Sequence, residues 1–167
     1  MSIVKLRAME PEDLDFLYNM ENDHEVWNVG NTNVPYSRYV LHDYIANATN
    51  DIYHDGQVRL IVENEEGKTV GMADVFDFNA QHRRAEISIV INRNYRQRGY
   101  AEAAITQIAE YSRRTLHLFQ LYAIVAENNN PSRRLFEKTG FKHAAKLEKW
   151  LFDGEKYANA IFFQRFL

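Results

Sequence analysis

The six residues from Arg96 to Ala101 have the composition and spacing of a loop that binds phosphate groups. They follow an alternating apolar stretch and precede a helical pattern, and the first turn of a helix presents unpaired backbone N–H groups with a partial positive charge. Gly99 lets the backbone approach a phosphate closely, and Arg96 and Arg98 add fork-shaped cationic donors. We therefore predict that a pyrophosphate is bound by Arg96, Gln97, Arg98, Gly99, Tyr100 and Ala101.

On these six residues alone, an ordinary strand-to-helix turn with a solvated basic face is the simpler interpretation. A second segment changes the balance, because Asn129-x-x-Ser132 opens the next predicted helix and is followed by Phe136 and Gly140. Two adjacent helix starts can bind one extended ligand that carries phosphates. Other nucleotide-binding loops do not fit, since the chain lacks the Gly-Lys-Ser/Thr of a Walker loop and the further glycines of a dinucleotide fingerprint near Gly99.

Composition limits the classes of protein to which the chain can belong. It has 167 residues, 46% of them hydrophobic, and no cysteine, which suits one domain in a reducing compartment and excludes disulfides and acyl-cysteine chemistry. The formal net charge of -3, with both signs interspersed, argues against nucleic acid or an anionic membrane as a partner. We expect a cytoplasmic protein. The sequence is compatible with either a monomer or an oligomer.

Two predicted helices follow a first strand over residues 3–8. The first begins near Pro11. The second is capped by Ser37 and carries an apolar stripe of Val40, Leu41, Tyr44, Ile45 and Ala48. Between the two helices, Trp27 and the polar run Asn28 to Asn33 are predicted to form one wall of a cleft.

The rest of the chain alternates strands and helices within the single predicted domain, residues 1–167. Helices are predicted from about Gly99 to Thr115 and from Asn130 to a stop at Gly140. Strands are predicted over residues 58–63, 69–78, 83–91 and 119–126, and on both sides of the turn at 153–156. Hairpins followed by crossovers through helices predict an α/β (α+β) fold, with a mixed central sheet covered by helices on both faces.

These features together resemble the GNAT family of N-acetyltransferases, whose signature loop reads Arg/Gln-x-x-Gly-x-Gly/Ala. Arg96 to Ala101 matches it throughout. His82 to Ile87 and Asn129 to Phe141 are most similar to the spermidine and ribosomal-protein N-terminal branches of that family. The resemblance implies the acyl-CoA N-acyltransferase fold, with acetyl-CoA as cosubstrate. It also implies that the backbone at a splay between two strands receives the pantetheine arm and that further cofactor contacts come from the second helix start, which gives the cofactor residues Ile89, Val90, Ile91, Asn129, Ser132 and Phe136.

Glu86 is the candidate general base, because it lies on the strand beside the implied thioester and on the face opposite Ile87. The alternative is a structural ion pair with Arg83 or Arg84. The family implies a tyrosine that protonates the departing thiolate, and the matching residue here is Phe136. Replacements for that acid could come from tyrosines that are otherwise packing residues, namely Tyr100, Tyr122 and Tyr157.

The acceptor is an amine whose identity the sequence leaves open. The spermidine branch carries a glutamate cluster around the second helix, whereas Asn31 to Tyr44 contains only Asp43 as an acid. Three acids and one aromatic residue could line a pocket for a cation or simply face solvent, namely Asp74, Asp77, Glu148 and Trp150. The histidines are dispersed and predict no metal site.

The leading hypothesis is therefore direct acetyl transfer from acetyl-CoA to a primary amine, polyamine-like or another small amine. The alternatives are acetylation of a protein N-terminal α-amine and a noncatalytic module that senses acyl-CoA.

Overall fold

The computed structural model describes residues 2–23 and 34–167, so the predicted cleft wall at Trp27 and Asn28 to Asn33 lies outside the described residues. A seven-stranded sheet in the order β1-β2-β3-β4-β5-β7-β6 organises the chain. Its strands are Val4–Ala8 (β1), Val58–Asn64 (β2), Thr69–Asn79 (β3), Arg84–Ile91 (β4), Gln120–Ala126 (β5), Lys142–Phe152 (β6) and Tyr157–Phe166 (β7). The helices are Leu14–Glu21 (α1), Arg38–Asn47 (α2), Ile52–Asp55 (α3), Tyr100–Arg114 (α4) and Asn130–Lys138 (α5), with 3-10 turns at Pro11–Asp13 and Arg93–Tyr95.

The sheet is mixed, as predicted. β4 and β5 run parallel, and every other neighbouring pair is antiparallel. A parallel pair needs a crossover connection, and α4 provides it between β4 and β5.

Helices cover both faces of the sheet, which confirms the predicted layering. One face buries side chains of β2, β3, β4, β5 and β7 against α4 and α5, with Ile105, Ile108 and Phe136 in the core. On the other face, Leu17 of α1 and Leu41 of α2 pack on the strands. Among the described residues, no helix is long and apolar enough to cross a membrane.

Several helix ends follow from local chemistry. The Ser37 hydroxyl accepts the Val40 N–H at 3.1 Å and caps α2. Gly140, at a φ of 89°, follows the last turn of α5 in the left-handed region that favours glycine.

The predicted apolar stripe of α2 is confirmed except at Val40, which is 49% exposed. Leu41 is buried, and half-buried side chains of the same stripe pack around it, namely Tyr44, Ile45 and Ala48. The predicted strand at 119–126 begins one residue later, and Phe119 is 53% exposed. The short helix α3 was not predicted. It is capped by the Asp51 side chain and ends at Gly56 in the left-handed conformation.

Gly71 permits a close approach between β3 and β4, because a Cβ atom there would lie 2.4 Å from the Val90 carbonyl oxygen. We expect Gly71→Ala to lower the free energy of unfolding by about 1–3 kcal/mol through overpacking. Gly67→Ala is the control, since its positive φ of 75° is strained but the space around it is open. It should cost only about 1 kcal/mol. Equal losses in denaturant titrations of the two variants would contradict this account of Gly71.

Candidate active site

The predicted phosphate loop lies at the N-terminus of α4. Gly99 is the residue before the helix, with a φ of 81° and a ψ of 0° and no side chain to cap the first turn. The first backbone bond of the helix runs from the Ala103 N–H to the Gly99 carbonyl at 3.0 Å. The amides of Tyr100, Ala101 and Glu102 thus precede the intrahelical hydrogen bonds and are suited to an anion.

The two arginines of the loop have different surroundings. The Arg96 Nε donates to the Ile91 carbonyl at 3.1 Å, so this side chain fastens the loop to the end of β4. The guanidinium carbon of Arg98 lies 5.5 Å from the centre of the Tyr95 ring. Gln97 adopts a positive φ of 61°. The conformation of the loop therefore depends on contacts of its arginine side chains as well as on the backbone conformation of Gly99.

A cavity of about 310 Å³ joins this loop to α5. Its lining includes Tyr95, Arg134 and Lys138, which the sequence analysis missed. Lys138 pairs with Glu102 at 2.7 Å, and Arg134 is exposed. The available signal was the spacing of the two basic residues, four apart and therefore on the same side of a helix.

Asn129 and Ser132 lie at the start of α5, as predicted. The Asn129 side-chain oxygen accepts the Ser132 N–H at 3.2 Å and caps α5. Phe136 is only 3% exposed, with its ring centre 5.1 Å from that of Phe141 and 6.1 Å from that of Phe163. Phe136 belongs to the core, and the residues that line the cavity do not include Asn129, Ser132 or Phe136.

A splay opens between β4 and β5. The strands pair only from Arg84–Glu86 to Gln120–Tyr122, and Ile89, Val90 and Ile91 have no partner on β5. The side chain of Ile91 is buried in the core, whereas its carbonyl oxygen accepts from Arg96. The family resemblance implied a splay at this position, and the pairing of β4 with β5 stops there.

Glu86 lies at the apex of the splay, in the last pair before the strands separate. Its strand neighbours Ala85 and Ile87 face the core under α4, so Glu86 faces the side of α1 and α2. Burial, followed by the negative charge of Asp77, raises the pKa of Glu86 to about 7. No ion pair between Glu86 and Arg83 or Arg84 occurs in residues 2–23 and 34–167.

Asp77 and Tyr122 flank Glu86 from the neighbouring strands. The Tyr122 hydroxyl donates to the Asp77 carboxylate, and Tyr122 is the direct partner of Glu86 across the parallel pair. Asp77 has a positive φ of 48° in an irregular part of β3. Burial and the bond to Asp77 raise the pKa of Tyr122. The Tyr122 ring stacks on Phe162 with centres 5.1 Å apart.

The other two candidate tyrosines lie in different environments. Tyr100 is 7% exposed and packs in the main core, whereas Tyr157 is 65% exposed at the β6–β7 hairpin. Tyr122 is thus the tyrosine of the three that lies next to Glu86.

Of the predicted cation-binding group, the structure brings only Asp77 next to Glu86. Asp74 is bound by Arg59 through two hydrogen bonds of 2.7 and 2.9 Å, and Arg59 also pairs with Glu21. Glu148 and Trp150 lie on β6, which β5 and β7 separate from β4. Within the described ranges, no group of three or more His, Cys, Asp or Glu side chains is arranged to hold a metal ion.

Comparison with known proteins decides the family. The acetyltransferase (GNAT) domain profile matches residues 4–142. This chain belongs to the GNAT acetyltransferase family. It is 31% identical over 162 residues to the spermidine N(1)-acetyltransferase of Escherichia coli K12, covering 95% of this chain and 83% of that protein. The corresponding Vibrio cholerae enzyme is 29% identical over 157 residues, covering 93% and 88% of the two chains.

Solved structures agree with this assignment. The acetyltransferase superimposes on the Vibrio cholerae spermidine N-acetyltransferase in complex with CoA and spermine with a TM-score of 0.87, at 26% identity and covering 99% of this chain and 96% of that one. A dodecameric form of the Vibrio cholerae enzyme gives a TM-score of 0.83 at 27% identity, covering 99% and 95%. The chain is an acetyl-CoA-dependent N-acetyltransferase whose acceptor is a primary amine.

Proposed function

We propose that this acetyltransferase, as one domain, acetylates an amine that carries a second positive charge, in the manner of a polyamine acetyltransferase. In this proposal Arg96 to Ala101 bind the pyrophosphate of acetyl-CoA at the start of α4. The backbone of Ile89, Val90 and Ile91 receives the pantetheine arm in the splay. Asn129 and Ser132 contact the cofactor, and Phe136 supports that wall from the core.

Glu86 is the proposed general base. An alkylamine with a pKa near 10.4 costs about 4.6 kcal/mol to deprotonate at pH 7, so a base strongly assists its attack on the thioester. A carboxylate with a pKa of about 7 is suited to that transfer at neutral pH. The neutral amine then attacks the acetyl carbon directly, and CoA departs without a covalent enzyme intermediate.

The observation that carries the acceptor class is the pair of carboxylates at the apex of the splay. Glu86 and Asp77 are neighbours close enough for their charges to interact, and neither forms an ion pair within the described part of the chain. One carboxylate can take a proton from the reacting nitrogen while the other attracts a distant ammonium group. Relatives that act on spermidine support the same class of acceptor.

A matched pair of acceptors tests this proposal. We expect kcat/KM for diaminobutane to exceed that for butylamine by at least about 10-fold, which corresponds to about 1.4 kcal/mol of transition-state stabilisation. Asp77→Asn should remove most of that preference. Asp43→Asn is the control, because Asp43 is an exposed acid on α2 whose side chain accepts from Asn47. Equal rates for the two amines with the wild-type protein would contradict the proposed acceptor class.

N-terminal peptides and amino acids complete the panel. Preferred acetylation of peptides would identify a protein α-amine acetyltransferase. Retained acetyl-CoA binding without turnover of any amine would identify a noncatalytic sensor. Both outcomes overturn the proposed function.

We also propose a cytoplasmic location. The cysteine-free composition fits a reducing compartment. Fractionation of cells that produce the protein tests this proposal, and recovery outside the cytoplasm would contradict it.

A further inference from the structure

Acetyl transfer moves a proton at two atoms, because the amine nitrogen loses one and the CoA sulfur gains one. The first transfer has a proposed acceptor in Glu86. The second has no evident donor, since position 136, where the family places a tyrosine, holds a phenylalanine that is 3% exposed. Another proton donor must therefore come from the residues around the splay.

The hydroxyl groups near Glu86 are poor donors. Tyr122 already donates its proton to Asp77, and its pKa is raised above the ordinary value of a phenol. A phenol of that strength is a weaker acid than a thiol, whose ordinary pKa is about 8.5, so it does not readily protonate a thiolate. Ser88, the next residue on the same face of β4, offers an alcohol, which is weaker still.

We propose that Glu86 serves both proton transfers: its carboxylate accepts the proton of the amine nitrogen, and the resulting carboxyl group donates that proton to the departing CoA sulfur. This inference rests on the proposed function and assigns a second role to the same side chain. The negative charge of Asp77 then favours the protonated form of that carboxyl group.

An acceptor that arrives as an ammonium ion first loses one proton through Glu86 to solvent, and from the neutral amine onward the steps balance without any further reactant. The lone pair of the neutral amine forms the C–N bond, and the carbonyl oxygen takes up the π electrons. The adduct nitrogen releases its proton to Glu86. The C–S bond then breaks as the carbonyl reforms, its electron pair stays on sulfur, and Glu86 gives the proton to that sulfur. The products are the amide and CoA thiol, and Glu86 is again a carboxylate.

The surroundings of Glu86 suit a group that exchanges its proton. Asp77 faces it from β3 and Tyr122 from β5, and neither brings a positive charge. The nearby cations are engaged elsewhere or lie outside hydrogen-bond range: Arg59 is bound to Asp74 and Glu21, and Arg84 makes no ion pair with Glu86 in the described ranges. Because burial and Asp77 raise the pKa of Glu86 to about 7, both of its protonation states are accessible near neutral pH.

Two ethylamines of similar size separate deprotonation of an ammonium ion before attack from the proton transfers that follow attack. Trifluoroethylamine is a weak base that is already neutral at about pH 7.5, whereas ethylamine is protonated there. If Glu86 only deprotonates the ammonium ion, Glu86→Gln should slow ethylamine acetylation and spare trifluoroethylamine. The proposal expects a loss of about 10²-fold or more with both amines. Glu148→Gln, which changes an exposed acid on β6, is the matched control.

Solvent deuterium and Phe136→Tyr give independent readouts. We expect a normal solvent isotope effect on kcat with trifluoroethylamine in the wild-type protein and its loss in Glu86→Gln. Phe136→Tyr should not accelerate the wild-type protein, because the sulfur already has a proton donor. A spared trifluoroethylamine reaction, or an acceleration of about 10-fold or more by Phe136→Tyr, would overturn the proposal. In either case the acetyltransferase assignment stands, whereas a wild-type protein that acetylates no amine would overturn the proposed function itself.

Discussion

Glu86→Gln is expected to lower kcat/KM for diaminobutane by about 10²- to 10⁴-fold near neutral pH, the usual contribution of a general acid or base. The substitution keeps the size of the side chain and removes its ability to exchange a proton. The cavity proposed to hold the cofactor lies between the loop and α5, so acetyl-CoA binding should be unchanged. Steady-state kinetics together with calorimetric titration of acetyl-CoA measure the two quantities separately. An equal loss of cofactor affinity would contradict the role assigned to Glu86.

The pH profile gives the same substitution a second signature. With the wild-type protein, activity should fall as the pH drops through about 7, because Glu86 becomes protonated before the amine attacks. Glu86→Gln should lose that step in the profile. A step that persists in the variant would belong to another group.

Glu86→Gln lowers activity, but it should raise the free energy of unfolding above about pH 7. The pKa of Glu86 in the folded protein is raised above its ordinary value of 4.5 to about 7, so its contribution to stability is present below pH 4.5 and is lost as the pH rises through about 7. Glutamine carries no charge, so burial and the negative charge of Asp77 do not destabilise the variant at high pH. After allowance for partial exposure, we expect a gain on the order of 1 kcal/mol, or about 2–4 °C in Tm, at about pH 8. The gain should vanish near pH 4, and thermal unfolding at both pH values checks it.

Gly99→Val is the second substitution with a large expected effect, and it should weaken acetyl-CoA binding by about 10²-fold or more. A branched side chain is strained at a φ of 81° and would stand between the pyrophosphate and the first amides of α4. Isothermal titration with acetyl-CoA measures the loss.

Gly56→Val provides a closely matched control. Gly56 has a φ of 70° and a ψ of 2°, nearly the conformation of Gly99, but it ends α3 and has open space around it. Both variants should therefore lose similar stability, and only Gly99→Val should lose the cofactor. Similar affinities in the two variants would show that backbone strain, rather than the phosphate site, explains the result.

The two helix starts proposed to bind the cofactor could be predicted from sequence because their signals are local. Gly99 needs its own backbone conformation, and the helix start after it supplies amides whatever the distant packing. The Asn129 cap of α5 is equally local. Arg134 and Lys138 lay on a helix that was predicted, but their nearness to the loop depends on how α4 and α5 pack.

The proposed acceptor side depends on tertiary structure. Asp77 and Tyr122 are 45 residues apart in the sequence, and the irregular conformation of β3 brings them together. The environment of Asp74 also depends on tertiary structure. The sequence leaves this acid available to bind a cation, but the fold places Arg59 beside it. In the predicted stripe of α2 only Val40 departs from the prediction, because apolar periodicity cannot tell how far around a helix a neighbour covers it, and here Val40 faces outward.

The proposed reaction requires a carboxyl group at the splay that exchanges its proton near neutral pH. The most direct test is an isotope-edited titration of the Glu86 carboxyl group in the complex with CoA, followed by NMR or infrared spectroscopy and assigned with Glu86→Gln. We expect a pKa of about 7, lowered in Asp77→Asn because a neighbouring negative charge is removed. A Glu86 that titrates at its ordinary value of 4.5, and does not respond to Asp77→Asn, would contradict the account.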